Sequence, residues 1–256
     1  MLKNLIRKWL QQVLGFERYL FWFALVQITR QRVLKFDKEF LQFNNMIRAD
    51  GAILDIGANI GITAVLLARR HRNATIYAFE PVPENCKTLQ RVIAFYRLNN
   101  VVILPMALGK ESGYLDMVIP EIGGARMQGL SHVAETGTEI HGKLAGHTFS
   151  VPVEKLDNVS SFEALSHISA IKIDVENYEL FVLQGGSALL QKHRPLVFCE
   201  LWDNERRQSC IGLMHEMKYR VAVYYQKELV AFTGQQSLNY FFIPEDPSPE
   251  AGNRMN

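Results

Sequence analysis

The stretch Ile53-Leu54-Asp55-Ile56-Gly57-Ala58-Asn59-Ile60-Gly61 decides the fold, because an apolar run ends in a glycine turn that opens a helix. Gly57 and Gly61 lack a Cβ, so the chain can turn sharply and a ligand can approach the main chain. Ile60, Val65, Leu66 and Leu67 supply the apolar face of the helix, whose first N–H groups suit a polar or anionic ligand group. A second apolar run, Thr75-Ile76-Tyr77-Ala78-Phe79, ends in Glu80. A carboxylate at the end of the second strand is where a ribose diol is commonly gripped. The alternative is an ordinary strand-to-helix turn with an incidental Asp55, but strand, turn, helix, strand and carboxylate all occur in order.

The glycine spacing discriminates between ligands. Dinucleotide-binding turns use G-x-G-x-x-G, whose second glycine clears room for a pyrophosphate. Asn59 stands at that position, which argues against a nicotinamide-dependent oxidoreductase. An acidic residue followed by glycines suits a cofactor with a cationic end.

With 256 residues and 48% hydrophobic content, the chain can form one sizeable α/β domain with an extension. Its net charge of +2 hides an asymmetry: Lys3, Arg7, Lys8, Arg18, Arg30, Arg32 and Lys35 face Glu17 alone within residues 1–35. The remainder is net acidic, so no broad phosphate-tracking face is expected and nucleic acid is a poor partner. Cys86, Cys199 and Cys210 show no C-x-x-C pairing, and their odd number fits reduced thiols in a cytoplasmic protein. No run approaches the roughly 18 to 20 apolar residues of a spanning helix. Arg18 interrupts the first apolar stretch, and no small-residue cleavage site follows Val26, so a secretory signal fits poorly.

Residues 1–50 read as a helical extension, with Leu2, Leu5, Trp9, Leu10, Val13 and Leu14 at helical spacing and a break at Gly15. Two readings stand for it: a lid packed on the core, or a basic amphipathic surface in peripheral contact with an anionic membrane. Residues 51–244 alternate strands at 52–57, 75–79 and 101–105 with helices near 60–71 and 83–97, the pattern of a doubly wound parallel sheet. Tyr114 to Ile119 reads as a further strand ending at Pro120. Residues 121–150, rich in glycine and carrying His132, His141 and His147, read as a mobile substrate-side segment without sustained period.

A helix is expected around 158–167, then the strand Ala170-Ile171-Lys172-Ile173-Asp174-Val175 and one helix through Leu180, Leu183, Leu189 and Leu190. Pro195 to Trp202 gives a buried strand. A helix at 205–217 and strands at 219–225 and 238–243 complete the pattern, and 245–256 reads as a disordered tail.

Taken together, Asp55 to Gly61, Phe79-Glu80-Pro81, Leu156-Asp157, the block Ile171 to Glu179, and Arg194-Pro195 leading to Glu200 resemble the FkbM family of S-adenosylmethionine-dependent methyltransferases. The resemblance implies a Rossmann-like class I methyltransferase fold: a mostly parallel seven-stranded sheet with helices on both faces. It also implies methylation of a hydroxyl on a glycan or secondary metabolite. One departure is Asn177, where the family usually has glycine; asparagine tolerates positive φ better than most residues.

The same resemblance implies that Gly57, Ala58, Asn59 and Gly61 hold the methionine end of S-adenosylmethionine and that Asp55 orients the turn or the amino group. It places Glu80 on the ribose, Pro81 and Val82 against the adenine, and Ala107 and Leu108 on the adenine side. Asp174 and Glu176 lie at the carboxyl end of a central strand, where ligands of open α/β sheets bind, and one of them is the candidate catalytic base. Glu176 and Glu179 are also placed to interact with the start of the next helix, and Lys172 either pairs with a carboxylate or is a solvated strand residue. A divalent metal on Asp174, Glu176 or Glu200 is not demanded by the spacing, so none is assigned. A base among the three histidines, and a member of the fold that binds cofactor or a partner without catalysis, stand as alternatives.

Overall fold

In the computed structural model, residues 2–35, 37–48, 51–122, 125–126, 131–133 and 146–245 are described. The centre is β1 (Ala52–Ile56), whose five residues are all buried. Near-continuous apolar sequence is what a strand covered on both faces requires. It pairs in parallel with β2 (Ile76–Phe79) on one side and β9 (Ile168–Ile173) on the other. Beyond β2 lies β3 (Val101–Leu104), and beyond β9 lies β10 (Leu196–Glu200), both parallel. The other edge is antiparallel: β13 (Asn239–Pro244) pairs with β10 and β11 (Tyr219–Tyr225), and β11 pairs with β12 (Glu228–Ala231).

Among the described residues the sheet thus has eight strands in the order β12-β11-β13-β10-β9-β1-β2-β3, one more than the seven expected, and less parallel. The extra strand is β12. Its hairpin turns through Gln226 (φ 50°) and Lys227 (φ 71°), a left-handed pair without the Asn-Gly signature that usually announces such a turn.

A second sheet takes in the strand expected from Tyr114 and the structure expected to return at 149–153, and extends both into the segment read as mobile. It contains β4 (Ala107–Leu108), β8 (Gly146–Glu154), β5 (Gly113–Ile122) and β6 (Ala125–Arg126), with β7 (His132–Val133) paired to β5. β5 does not stop at Pro120, which lies opposite Gly146, and its ladder with β8 runs back to Gly113 opposite Val153. The expectation of a structureless 121–150 is therefore corrected at both ends; 123–124, 127–130 and 134–145, with His141, lie outside the described residues. The partner strands lie far apart in sequence, so no local period announces the pairing. The expected tail falls outside the described residues from 246 onward.

Two helix expectations also change. Residues 158–167 form no α-helix, only 3₁₀ turns at Leu156–Asn158 and Ser160–Phe162, in a stretch where serine and asparagine compete for backbone hydrogen bonds. Asp157 in the first turn reaches across to cap another helix, accepting from the N–H groups of Ala188 and Leu189 at 3.1 and 2.8 Å. The helix expected through Leu180 and Leu190 is two, α6 (Glu179–Gly185) and α7 (Ser187–His193), divided at Gly186.

The N-terminal residues form α1 (Leu2–Leu14), α2 (Phe16–Leu34) and α3 (Lys38–Met46), with Gly15 at φ 77° between the first two. Tyr19, Leu20, Ala24 and Ile28 of α2 bury against residues of α4 (Ile62–Arg70) and α5 (Pro83–Phe95). Asp37 caps α3 by accepting from the Phe40 N–H at 2.8 Å, and Phe43 stacks on Phe198 with centroids 5.0 Å apart. α8 (Glu205–Glu216) leads into β11 and packs Cys210, Ile211 and Met214 into the core.

Candidate active site

The turn after β1 is pinned from two sides. Gly57 has φ 77°, and a Cβ built on it would lie 1.9 Å from the carbonyl oxygen of Asp174. Only glycine fits, and the ends of β1 and β9 meet backbone to backbone. The N–H groups of Gly57 and Ala58 donate to the Phe79 carbonyl at 3.0 and 2.8 Å, so β2 anchors the other side. Gly57→Ala is therefore expected to destabilise the protein by about 3 kcal/mol through left-handed strain and overlap. Chemical denaturation measures this, and an unchanged midpoint would contradict the geometry.

Glu80 joins the first two loops. Its Oε2 accepts from the Asn59 N–H at 2.8 Å, while Oε1 accepts from the Val82 N–H at 2.9 Å and Asn85 Nδ2 at 3.1 Å. Burial pushes the carboxyl up to about 7 against the pull of these donors. Asn59 itself sits at φ 49°.

Lys172 organises the other end. It lies opposite Asp55 in the β1–β9 ladder, which puts the two side chains on one face. Its ammonium is 3.5 Å from Asp55 Oδ1 and 3.3 Å from Asp174 Oδ2, and donates to the Gly57 carbonyl at 3.0 Å. Burial alone would push this lysine down, but Asp174 and then Asp55 hold it above its ordinary value. Asp55 is fully buried and accepts from Thr63 Oγ1 at 2.7 Å, so it ties the first turn of α4 to β9. Of the two readings for Lys172, the paired one holds.

After β9 the chain makes a turn with two consecutive left-handed residues, Glu176 (φ 53°) and Asn177 (φ 72°). The departure at Asn177 is thus accommodated. Its side-chain oxygen accepts from Asn204 Nδ2 at 2.7 Å, and its carbonyl from Arg206 Nη1 at 2.7 Å. Glu179 secures the same turn by accepting from the N–H groups of Val175 and Asn177 at 3.2 and 3.1 Å. Burial pushes Glu179 up to about 7 and, with Asp174 next in weight, Glu200 up to about 7 as well.

These loops surround an open cleft at the carboxyl ends of the central strands, about 670 Å³ with the solvent at its mouth included. Gly57, Asn59, Glu80, Pro81, Ala107, Leu108, Asp174 and Glu176 line it; Asp55, Ala58 and Gly61 are buried and do not. Asn85, Met106 and Tyr178 also line it, as do Met117 and Val133 of the second sheet and Ser131 just before β7, none of them assigned a role from sequence. Asn85 stands two residues after Pro83 at the start of α5, which is the one local hint it offers. Among the described residues its Oδ1 and that of Asn59 are buried without a hydrogen-bond partner, an expensive arrangement unless a ligand donor meets them. Phe79, Val82 and Met106 add an apolar wall. An apolar slot edged by unpaired acceptors fits an adenosine-type ligand bearing amino and hydroxyl donors. Among the described residues no group of three acidic, histidine or cysteine side chains could hold a metal ion.

Comparison with known proteins agrees with this architecture. Residues 55–232 match the Methyltransferase FkbM domain. The 31-O-demethyl-FK506 methyltransferase FkbM of Streptomyces tacrolimicus is 27% identical over 168 residues, 58% of this chain and 64% of that protein. Methyltransferase 1 of Beauveria bassiana (strain ARSEF 2860) is 28% identical over 145 residues, 53% of this chain and 58% of that protein. The aligned stretch is thus less than two thirds of either relative's own length. The crystal structure of methyltransferase FkbM from Methylobacillus flagellatus KT superposes with a TM-score of 0.50 at 14% identity, over 77% of this chain and 45% of that one, a likeness of fold. With the domain matched from the Asp55 turn through β12, this chain belongs to the FkbM methyltransferase family.

Proposed function

We propose that this chain transfers a methyl group from S-adenosylmethionine to a hydroxyl of a glycan or secondary metabolite. The observation that supports the reading is the cleft itself, which is lined by the Asn59 and Asn85 acceptors, by an apolar wall and by Asp174. Bound S-adenosylmethionine supplies a methyl carbon already activated by its sulfonium. The chain's own work is then to align the acceptor and remove its proton.

Gly57 and Asn59 would hold the amino-acid end, Glu80 the ribose through its remaining lone pair, and Pro81, Val82, Ala107 and Leu108 the base. Asp174 would take the hydroxyl proton. Its side chain is 39% exposed and is held by Lys172. Glu176 suits that task less, because burial first, then Asp174, Glu200 and Glu179, push it up to about 8, so it carries a proton near neutrality.

The test combines calorimetry with S-adenosylhomocysteine and transfer of labelled methyl to a panel of hydroxylated acceptors. Binding with transfer supports the proposal. Binding of NAD in its place would make the chain an oxidoreductase, and cofactor binding without transfer would make it a non-catalytic member.

Glu176 also gives a pH dependence. Its value in the folded protein lies above the ordinary 4.5, so its contribution to stability is complete below pH 4.5 and fades as pH rises toward about 8. Glu80, Glu179 and Glu200, each near 7, act in the same direction. The difference in denaturation midpoint between Glu176→Gln and the native chain is expected to grow in favour of the variant across that window. A constant difference would contradict the shift.

A further inference from the structure

We propose that the outer face of α1 and α2 docks on an anionic lipid bilayer surface. The inner faces of these helices are accounted for: Leu10 and Leu14 of α1 join Tyr19, Leu20, Ala24 and Ile28 of α2 in one cluster with α4 and α5. The outer faces are apolar as well. Leu5, Ile6, Trp9 and Val13 on α1, and Trp22, Val26, Val33 and Leu34 on α2, are each 50–72% exposed. They are eight of the thirteen large apolar side chains left exposed among the described residues, gathered in the first 34 positions.

Their spacing makes stripes. Leu5, Trp9 and Val13 recur every four residues, as do Trp22 and Val26, with Val33 on the same side of α2. A helix already packed on one side has no structural need for a second apolar stripe toward water.

Charge decides the occupant. Arg18 precedes Trp22 by one turn, and Arg32 and Lys35 end α2, all exposed; Glu17 is the one acidic residue in the first 35. A second copy offering the same face would set these cations against their own kind. Phosphatidylserine headgroups neutralise them, while tryptophan favours the level of the headgroups. Among the described residues no helix is long and apolar enough to cross a membrane, so both helices would lie in the plane of the surface.

Sedimentation of the full chain with vesicles tests this, using phosphatidylcholine alone or mixed with phosphatidylserine. Binding is expected with the mixed vesicles, weakened by salt, with a blue shift of tryptophan emission. Trp9→Gln and Trp22→Gln should each weaken it, and Arg18→Gln with Arg32→Gln should lower affinity about tenfold or more. These positions are exposed, and an unchanged thermal melt confirms that each variant is folded. Two results overturn the proposal: no preference for phosphatidylserine vesicles, or self-association abolished by Trp9→Gln and Trp22→Gln without vesicle binding, which would assign the face to a second copy.

Discussion

Replacing Lys172 with methionine is expected to cost about 3–5 kcal/mol of folding stability, the loss typical when one partner of a buried ion pair is removed. Among the described residues the ammonium is the only cation placed within 4 Å of Asp55, which has no exposure to water, and it also holds Asp174 and the Gly57 carbonyl. Methionine fills much of the space and leaves Asp55 as an uncompensated charge. The double variant Lys172→Met/Asp55→Asn should recover part of the loss, because asparagine keeps the acceptor for Thr63 without the charge. Chemical denaturation of the four proteins in the cycle gives the coupling. A single-variant loss below about 1 kcal/mol would place this pair with exposed salt bridges and undo the argument.

The second large effect concerns the reaction. Under the proposed mechanism, Asp174→Asn keeps the shape of the cleft and removes the proton acceptor, so kcat should fall by about 10²–10⁴. Affinity for S-adenosylhomocysteine should change little, since the Asn59, Glu80 and Asn85 end of the cleft is untouched. The matched variant Glu176→Gln replaces a carboxyl that burial keeps protonated near neutrality, and its loss should be much smaller. If the two losses are reversed, Glu176 is the base; if neither variant loses activity, the base lies elsewhere.

The parts of the fold legible in sequence are those whose partners are adjacent or whose burial is complete. β1, β2, β9 and β10 carry near-continuous apolar runs and were placed to within a few residues. The site followed, because the cleft gathers the ends of those same strands. What stayed hidden depends on distant pairing. β5 and β8 find each other across a span whose glycines and histidines show no period, and the hairpin to β12 turns on Gln226 and Lys227, unremarkable as residues. Lys172 was ambiguous for the same reason. Nothing within β9 distinguishes a solvated lysine from a buried one; its register against Asp55 does. Met117 and Val133 of the second sheet, and Ser131 just before β7, reach the cleft through the same distant pairing.

Gly57 and the Asp174 carbonyl lie main chain against main chain where β1 and β9 end. Main chain touching main chain fixes the spacing between the turn after β1 and the backbone of Asp174, which leaves the Asp174 side-chain rotamer alone to set where its carboxyl points. Side chains on the second sheet can be exchanged without disturbing that spacing. Under the proposed function, acceptor preference drifts by ordinary substitution of those side chains while the backbone alignment needed for methyl transfer is inherited intact, a separation that frees one half of the cleft to evolve.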